Sequence, residues 1–388
     1  MERIDHSDVV VIGGGILGSA IAMELAGRGL RPVLVDEDRS GQATSARSFA
    51  SLSAFGADPV AYFELACAAL AGWSRWAERL GDVGYRRTGE LRWATDPQAG
   101  RELAEQVERA RARGYPIMPV DEPELRRLLP AAANPGAVAA ASYAPQDGQV
   151  EPDAVMAACR AATRMAGGRL LLGEPARIQL DDDGIRVEVA GRVLRPRIAV
   201  LTAGAESVAI ARAVGLDIPM LPSPGLLVQT EPLPAFTDKV VYLPGDPGPQ
   251  VHLRQRTDGS VLLGERSQDT VAREPSEHHG RALLRQAGRF LPLLRDARIA
   301  RMLLAWRPMP ADRLPIVGPV PDLDGLYLAV AHRGVTLAPA LGRLVAAEIA
   351  TGEEEWLLAQ FRPGRFAERA TRVVLDVEEA FRSRPRSR

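Results

Sequence analysis

Lysine is almost missing from this chain of 388 residues: Lys239 is the single one, and arginine supplies the rest of the 48 basic residues. A catalytic or carboxylate-binding cation must therefore be Arg or His, unless it is Lys239 in its proline-flanked, loop-like stretch. Cysteine is scarce too. Cys67 and Cys159 stand in separate helix-like segments without metal-ligand spacing, so no metal site is expected and both read as small hydrophobes of a reduced compartment. No window approaches 18 uninterrupted apolar residues, which argues against an integral membrane segment. The amino end, Met1 to His6, lacks the basic and apolar regions of a signal peptide, and a cytoplasmic location is expected. Charge of one sign is absent as well: a formal net charge of −1 creates no field to recruit nucleic acid. The length exceeds what one core usually serves, so two domains are expected.

What is present begins at Val9-Val10-Val11-Ile12, an apolar run that reads as a buried strand. Gly13-Gly14-Gly15-Ile16-Leu17-Gly18 follows directly, then a helical pattern in which Ala22 and Leu25 face a sheet and Gly29 closes the helix. Val33-Leu34-Val35 makes the next strand, with Asp36 at its end. In this context Gly13 permits a tight turn, Gly15 lets the backbone approach a pyrophosphate, and Gly18 lets helix and strand pack closely. Asp36 is the expected acceptor for a ribose hydroxyl. The unit therefore reads as a dinucleotide site.

Downstream, Ser40 to Ser48 is too small and polar for core and reads as a loop crossing a cofactor. Tyr62 to Leu80 has helical spacing, with Trp73 and Trp76 read as packing. Arg87 to Ala94 alternates like a strand, Pro97 to Gly114 is a charged amphipathic helix, and Asp153 is expected to cap a helix running to Ala166. Ile185 to Val189 and Arg192 to Arg195 read as a hairpin about Ala190-Gly191. The strand Arg197 to Leu201 ends in a small-residue corner, Thr202-Ala203-Gly204-Ala205, that allows close approach to a ligand.

Two late segments carry chemistry. Leu326 to Val330 reads as a strand, His332-Arg333-Gly334 as a turn and Val335 to Thr351 as a helix, which aims a second helix N-terminus at a ligand. Such an end could stabilise a reduced flavin, or be an ordinary capped helix. In Ala305 to Gly318, proline and glycine hold Arg307 in place, either to bind a carboxylate bidentately or to pair with Asp312.

Taken together, Asp8 to Asp36, Thr44-Ser45, Thr202 to Ala205, Arg307-Pro308 to Gly318, His332 to Pro339 and Phe361 to Phe366 occur in an order that resembles the D-amino-acid oxidase superfamily, most of all its glycine oxidase and sarcosine oxidase branch. The resemblance implies an α/β fold in which a Rossmann-like FAD-binding domain (1–84, 145–220 and 315–366) is interleaved with a mixed-sheet α+β substrate domain (85–144 and 221–314). A C-terminal helix and disordered basic tail (367–388) would follow.

It further implies that Gly13, Gly15 and Ile16 meet the pyrophosphate, with Gly18 supporting them. Asp36 and Glu37 would hold the ribose, Thr44 and Ser45 the phosphates, with Arg47 in the same crossing loop. Phe49, Ala50 and Ser51 would line the isoalloxazine, Ala176 would meet adenine, and Thr202 and Gly204 would pass close by. Arg333, Gly334, Val335 and Thr336 would face the flavin pyrimidine. Arg307 matches the arginine that binds substrate carboxylate. His252 stands where that branch often has tyrosine, and His332 where glycine oxidase has arginine; each is a candidate substrate-contacting residue or a satisfied polar residue. The cysteine used for covalent flavin in monomeric sarcosine oxidases would fall near Ala305, so FAD is expected to be non-covalent. The implied reaction is oxidation of a C–N bond in a small amine or amino acid, with oxygen or another acceptor. Two alternatives stand: an FAD dehydrogenase or complex subunit acting on an opine or 2-hydroxy acid, and a flavoprotein with structural FAD. A homo-oligomer is compatible with each.

Overall fold

The computed structural model describes residues 4–5, 7–38, 44–132, 134–245, 248–265 and 276–366. The expected C-terminal helix and tail at 367–388 lie outside them.

The strand Val9–Ile12 has no polar residue, and the fold shows why: it sits in the middle of a six-stranded sheet covered on both faces. The order across that sheet is Ile316–Pro319, Leu326–Val330, Ile198–Leu201, Val9–Ile12, Pro32–Asp36 and Arg169–Leu172. All neighbours are parallel except the edge strand Ile316–Pro319. One face is covered by the helix Ile16–Gly27, which is buried on almost every side because the helices Gly334–Thr351 and Pro152–Met165 pack over it. The helix Val60–Leu80 packs on Gly334–Thr351 in turn. Gly72 makes that contact possible, since a Cβ there would lie 2.9 Å from Pro339. Trp73 is fully buried and donates its indole N–H to the Thr336 carbonyl at 3.0 Å, so these tryptophans are packing residues. Asp153 is not the cap of the next helix: Glu151 holds that position, because Pro152 takes the first helical place and leaves Asp153 in the first turn.

Eight strands make the second large sheet, in the order Ile299–Trp306, Pro224–Thr230, Val261–Glu265, Val251–Gln255, Val240–Tyr242, Glu90–Ala94, Ala140–Ala144 and Met118–Pro119. It is mixed, because Val240–Tyr242 and Glu90–Ala94 run parallel while the other pairs are antiparallel. Strand alternation sorts its side chains. Leu91, Trp93, Val241, Leu253 and Leu263 join one apolar core, to which the helix Glu277–Gly288 contributes Leu283 and Leu284. Arg92, Tyr242 and His252 point to the other face, where the large cavity lies. A smaller sheet contains the expected hairpin, and Ala190 and Gly191 both take positive φ, as a tight two-residue turn needs.

A buried ion network fastens the second sheet to the first unit. Arg254, 1% exposed, donates through Nε to the Phe49 carbonyl at 2.6 Å and through a terminal nitrogen to Glu151 Oε1 at 2.9 Å. Arg256 reaches the other Glu151 oxygen at 2.7 Å. Burial alone would raise the Glu151 carboxyl, but the two guanidiniums hold it below the usual carboxylate range. Its stabilisation is therefore complete above the unfolded-state pKa and fades as pH falls through the lower folded value. Glu151→Gln should cost about 3–5 kcal/mol at neutral pH by stranding a buried charge. Denaturant unfolding should show that deficit shrinking in acid; a constant small deficit at every pH would contradict the assignment.

Candidate active site

The turn after the first strand is shaped by three backbones in contact. Gly13 takes φ +103, and a Cβ there would stand 2.6 Å from the backbone of Ala203. Gly18 lies beneath it: a Cβ at Gly18 would reach 1.8 Å from the Gly13 carbonyl oxygen and 2.5 Å from Thr202 Oγ1. The Thr202 hydroxyl donates to the Gly13 carbonyl at 2.7 Å, which closes the corner. Helix Ile16–Gly27 has Gly15 as its cap residue without a side-chain cap, so its first-turn N–H groups face outward as an anion site. One of them, Ile16 N–H, donates to Ser45 Oγ at 3.1 Å.

A cavity of about 1330 Å³ opens from this corner and runs between the two sheets. Of the residues expected to hold the cofactor, Gly13, Gly15, Ile16, Asp36, Glu37 and Ala176 line one region of the chain path around it. Thr44, Ser45, Arg47, Phe49, Ala50 and Ser51 also line it, as do Thr202 and Gly204. The last group, Arg333, Gly334, Val335 and Thr336, does the same. Gly18 alone among them is off the wall, because its role is to let the Gly13 turn sit on the helix. Several of these side chains already have protein partners. Thr44 donates to the Trp306 carbonyl at 2.8 Å, Arg47 to the Leu304 carbonyl at 3.2 Å and Thr336 to the Ser51 carbonyl at 3.1 Å. Asp36 accepts the Gly14 N–H on one oxygen and the Asp38 N–H, at 2.7 Å, on the other. Burial raises its carboxyl above the usual value despite those bonds.

The candidate substrate residues meet at the same cavity. Arg307, His252, His332 and Ser51 all line it. Arg307 leaves the strand Ile299–Trp306 with its N–H on the Ser223 carbonyl, and its guanidinium lies over Gly225, where a Cβ would stand 3.0 Å from Nε. Asp312 is not its partner: that carboxylate is held by Arg365 at 2.8 and 3.1 Å. Burial, then the charges of Arg307, Arg333 and Arg313, push His332 down to about 3. It is a neutral imidazole at every ordinary pH. His252 pairs across the sheet with Tyr242, ring centres 5.4 Å apart, and meets the edge of Phe49 at 4.3 Å.

Other cavity residues were not legible in the sequence. Arg92 stacks 3.6 Å above the Tyr242 ring and pairs with Glu90 at 2.6 Å. Burial opposes its charge, but the Glu90 carboxylate outweighs burial and holds the guanidinium protonated. Two charges at alternate positions of an otherwise apolar strand were the available signal. Behind this wall, burial and the Glu90 charge push Asp147 up to about 8, and its neighbour Tyr115 donates a hydrogen bond to it. Among the described residues no group of His, Cys, Asp and Glu could hold a metal ion.

The comparisons with known proteins agree on what such a cavity holds. The model of the FAD dependent oxidoreductase family, DAO, matches residues 8–348. The chain belongs to that family. It is 28% identical to a glycine oxidase of Geobacillus kaustophilus over 369 residues, covering 91% of this chain and 96% of that one. It is 27% identical to an opine oxidase subunit of Agrobacterium tumefaciens over 374 residues, covering 92% and 97%. Its fold is also that of L-proline dehydrogenase from P. horikoshii, with TM-score 0.85, 23% identity and coverage of 94% and 99%.

The residues present fit FAD. The Gly13 turn leaves no room for a side chain, a helix N-terminus without a side-chain cap faces the cavity, and the wall continues from Asp36 and Ala176 to Ser51 and Gly334. Asp36→Ala removes a carboxylate that both faces the cavity and ties down the Gly14 N–H. FAD affinity should fall by about 1–3 kcal/mol. Equilibrium dialysis over a dilution series checks this, and retention equal to wild type would remove Asp36 from the cofactor site.

Proposed function

We propose that this FAD-dependent oxidoreductase oxidises the C–N bond of an amino acid or secondary amine whose carboxylate is gripped by Arg307. The observation that carries the reading is the meeting of Arg307 with a neutral, half-buried His332 on the wall that also contains Ser51 and the Gly334 turn. A fixed guanidinium supplies bidentate grip on a carboxylate. His332, uncharged, can exchange hydrogen bonds with the amine without competing for the acid. His252 and Tyr242 close the side of the cavity with aromatic surface.

Bound FAD supplies hydride acceptance. The chain's own residues orient the substrate so that the hydrogen on the carbon bearing the amine leaves as hydride while nitrogen loses a proton. The resulting imine takes up water and yields a carbonyl compound and an amine or ammonia. This chemistry relies on position and a neutral amine more than on a strong base, which suits a wall of arginines and an uncharged imidazole. Electrons then pass to oxygen or another acceptor. The two large sheets support the interleaved assignment of 1–84, 145–220 and 315–366 to FAD and of 85–144 and 221–314 to substrate. The match to a component of an opine oxidase favours, as a second reading, membership of a larger complex. A reducing, cytoplasmic setting is compatible with the free thiols Cys67 and Cys159. Among the described residues no helix is long and apolar enough to cross a membrane.

Arg307→Ala should raise the substrate dissociation constant by roughly 10- to 1000-fold, with FAD content near normal. Kinetics on an amino acid and its decarboxylated amine decide the role: the variant should lose the preference for the acid. An equal loss on both would mark Arg307 as structural.

A further inference from the structure

The helix Pro152–Met165 lays an apolar stripe of Val155, Met156 and Cys159 towards Ile16–Gly27, and one arginine stands in that stripe. Arg160 is 8% exposed, yet no carboxylate comes within ion-pair distance of it among the described residues. Its guanidinium donates through Nη2 to the Gly14 carbonyl at 2.6 Å. That carbonyl is satisfied without it, because it already accepts the Ser19 hydroxyl at 2.8 Å. A buried guanidinium with so little direct compensation is costly, so its place calls for a reason other than packing.

The reason lies across Gly14. A Cβ there would stand 2.8 Å from Asp36 Oδ2 and 3.0 Å from Arg160 Nη2, so carboxylate and guanidinium face each other over the space that the glycine leaves open. Asp36 accepts the Gly14 N–H while Arg160 donates to the Gly14 carbonyl, and the two side chains grip one residue of the loop from its two ends. Asp36 lies on the cavity wall, whereas Arg160 stays behind it. Burial works against the charge on Asp36; the Asp38 and Gly14 N–H groups and the Arg160 charge work for it, and the Asp38 carboxylate repels it. Arg160 is thus the cation that acts on this carboxylate, and at such a range a charge in a dry setting has effect without touching its partner.

We propose that Arg160 is a positioning residue of the cofactor site: from behind the glycine loop it holds the Asp36 carboxylate charged and aimed at the hydroxyls of the adenosine ribose, and the chain's grip on the adenosine half of FAD depends on it. Asp36 as ribose acceptor is the premise, and the bond that the enzyme oxidises plays no part. The measurement is the dissociation constant of FAD from the full chain, by equilibrium dialysis, for wild type, Arg160→Met, Asp36→Asn and the double variant. Methionine keeps the buried stem and removes the charge, and should weaken FAD about 10-fold. The double variant should bind within about twofold of Asp36→Asn alone, because the arginine acts through the charge that Asn has already removed. Arg160→Lys keeps a charge on a stem with a shorter, less directed reach and should recover part of the loss.

FMN, which has the flavin and one phosphate but no adenosine, separates positioning from general damage to the site. Its affinity should be the same in wild type, Arg160→Met and Arg160→Lys within about twofold. Unchanged FAD affinity in Arg160→Met would overturn the proposal, as would parallel losses of FAD and FMN or losses that multiply in the double variant. If Arg160→Met weakens FAD while Asp36→Asn does not, Asp36 is no ribose acceptor and the proposal falls with that premise. If the Met variant does not fold, the Lys variant decides: weaker FAD with unchanged FMN supports the role, and equal effects on both overturn it.

Discussion

The cavity depends on how closely three backbones approach at one corner of the parallel sheet. Gly13, Gly18 and the Thr202-Ala203 step touch at distances that admit no Cβ at either glycine, and the Thr202 hydroxyl bonds the turn shut. Because of that contact the helix Ile16–Gly27 starts directly at the sheet edge, with its N–H groups aimed outward. The second helix end, at Gly334, reaches the same cavity by a different route. Arg333, at φ +59, turns the chain and fastens the corner to Ser53 and Phe55. Two helix ends and two loops so converge on one elongated site.

Electrostatics divides that site. Near the glycine corner the wall carries Asp36, Glu37 and Asp38, which suits hydroxyl groups of a ribose. Toward Ser51 and His332 it carries Arg307, Arg313 and Arg333, with Arg92 kept charged by Glu90. The half-buried imidazole of His332 amid those cations stays neutral. A site that concentrates positive charge around a neutral hydrogen-bonding group suits an acid-bearing substrate whose amine must remain unprotonated to react.

Local patterns were legible in the sequence because their physics is local. The glycine loop, Asp36 and the strand before them follow from spacing, and Val335 to Thr351 follows from helical periodicity with its Leu337, Leu341 and Leu344 buried. What depended on distant pairing was not legible. Arg92 meets Tyr242 only because Glu90–Ala94 lies beside Val240–Tyr242 in the second sheet. The partner of Asp312 is Arg365, 53 residues away, and so an ion pair with Arg307 could be entertained from neighbouring positions alone. The helix expected to be capped by Asp153 starts earlier because Pro152 fits its first turn, a local rule that was available and outweighed by the better capping residue. Gly18 belongs to the cofactor loop in sequence but acts from beneath it.

The central claim is that substrate carbon delivers its electrons to FAD held in this cavity. Anaerobic mixing of the FAD-loaded protein with a panel of amino acids, secondary amines bearing carboxylates, and 2-hydroxy acids tests it most directly. Loss of the oxidised flavin absorbance with the amine-bearing acids, accompanied by one carbonyl product per flavin reduced, is the outcome expected. Bleaching by 2-hydroxy acids alone, or by no member of the panel while FAD remains bound, would contradict it.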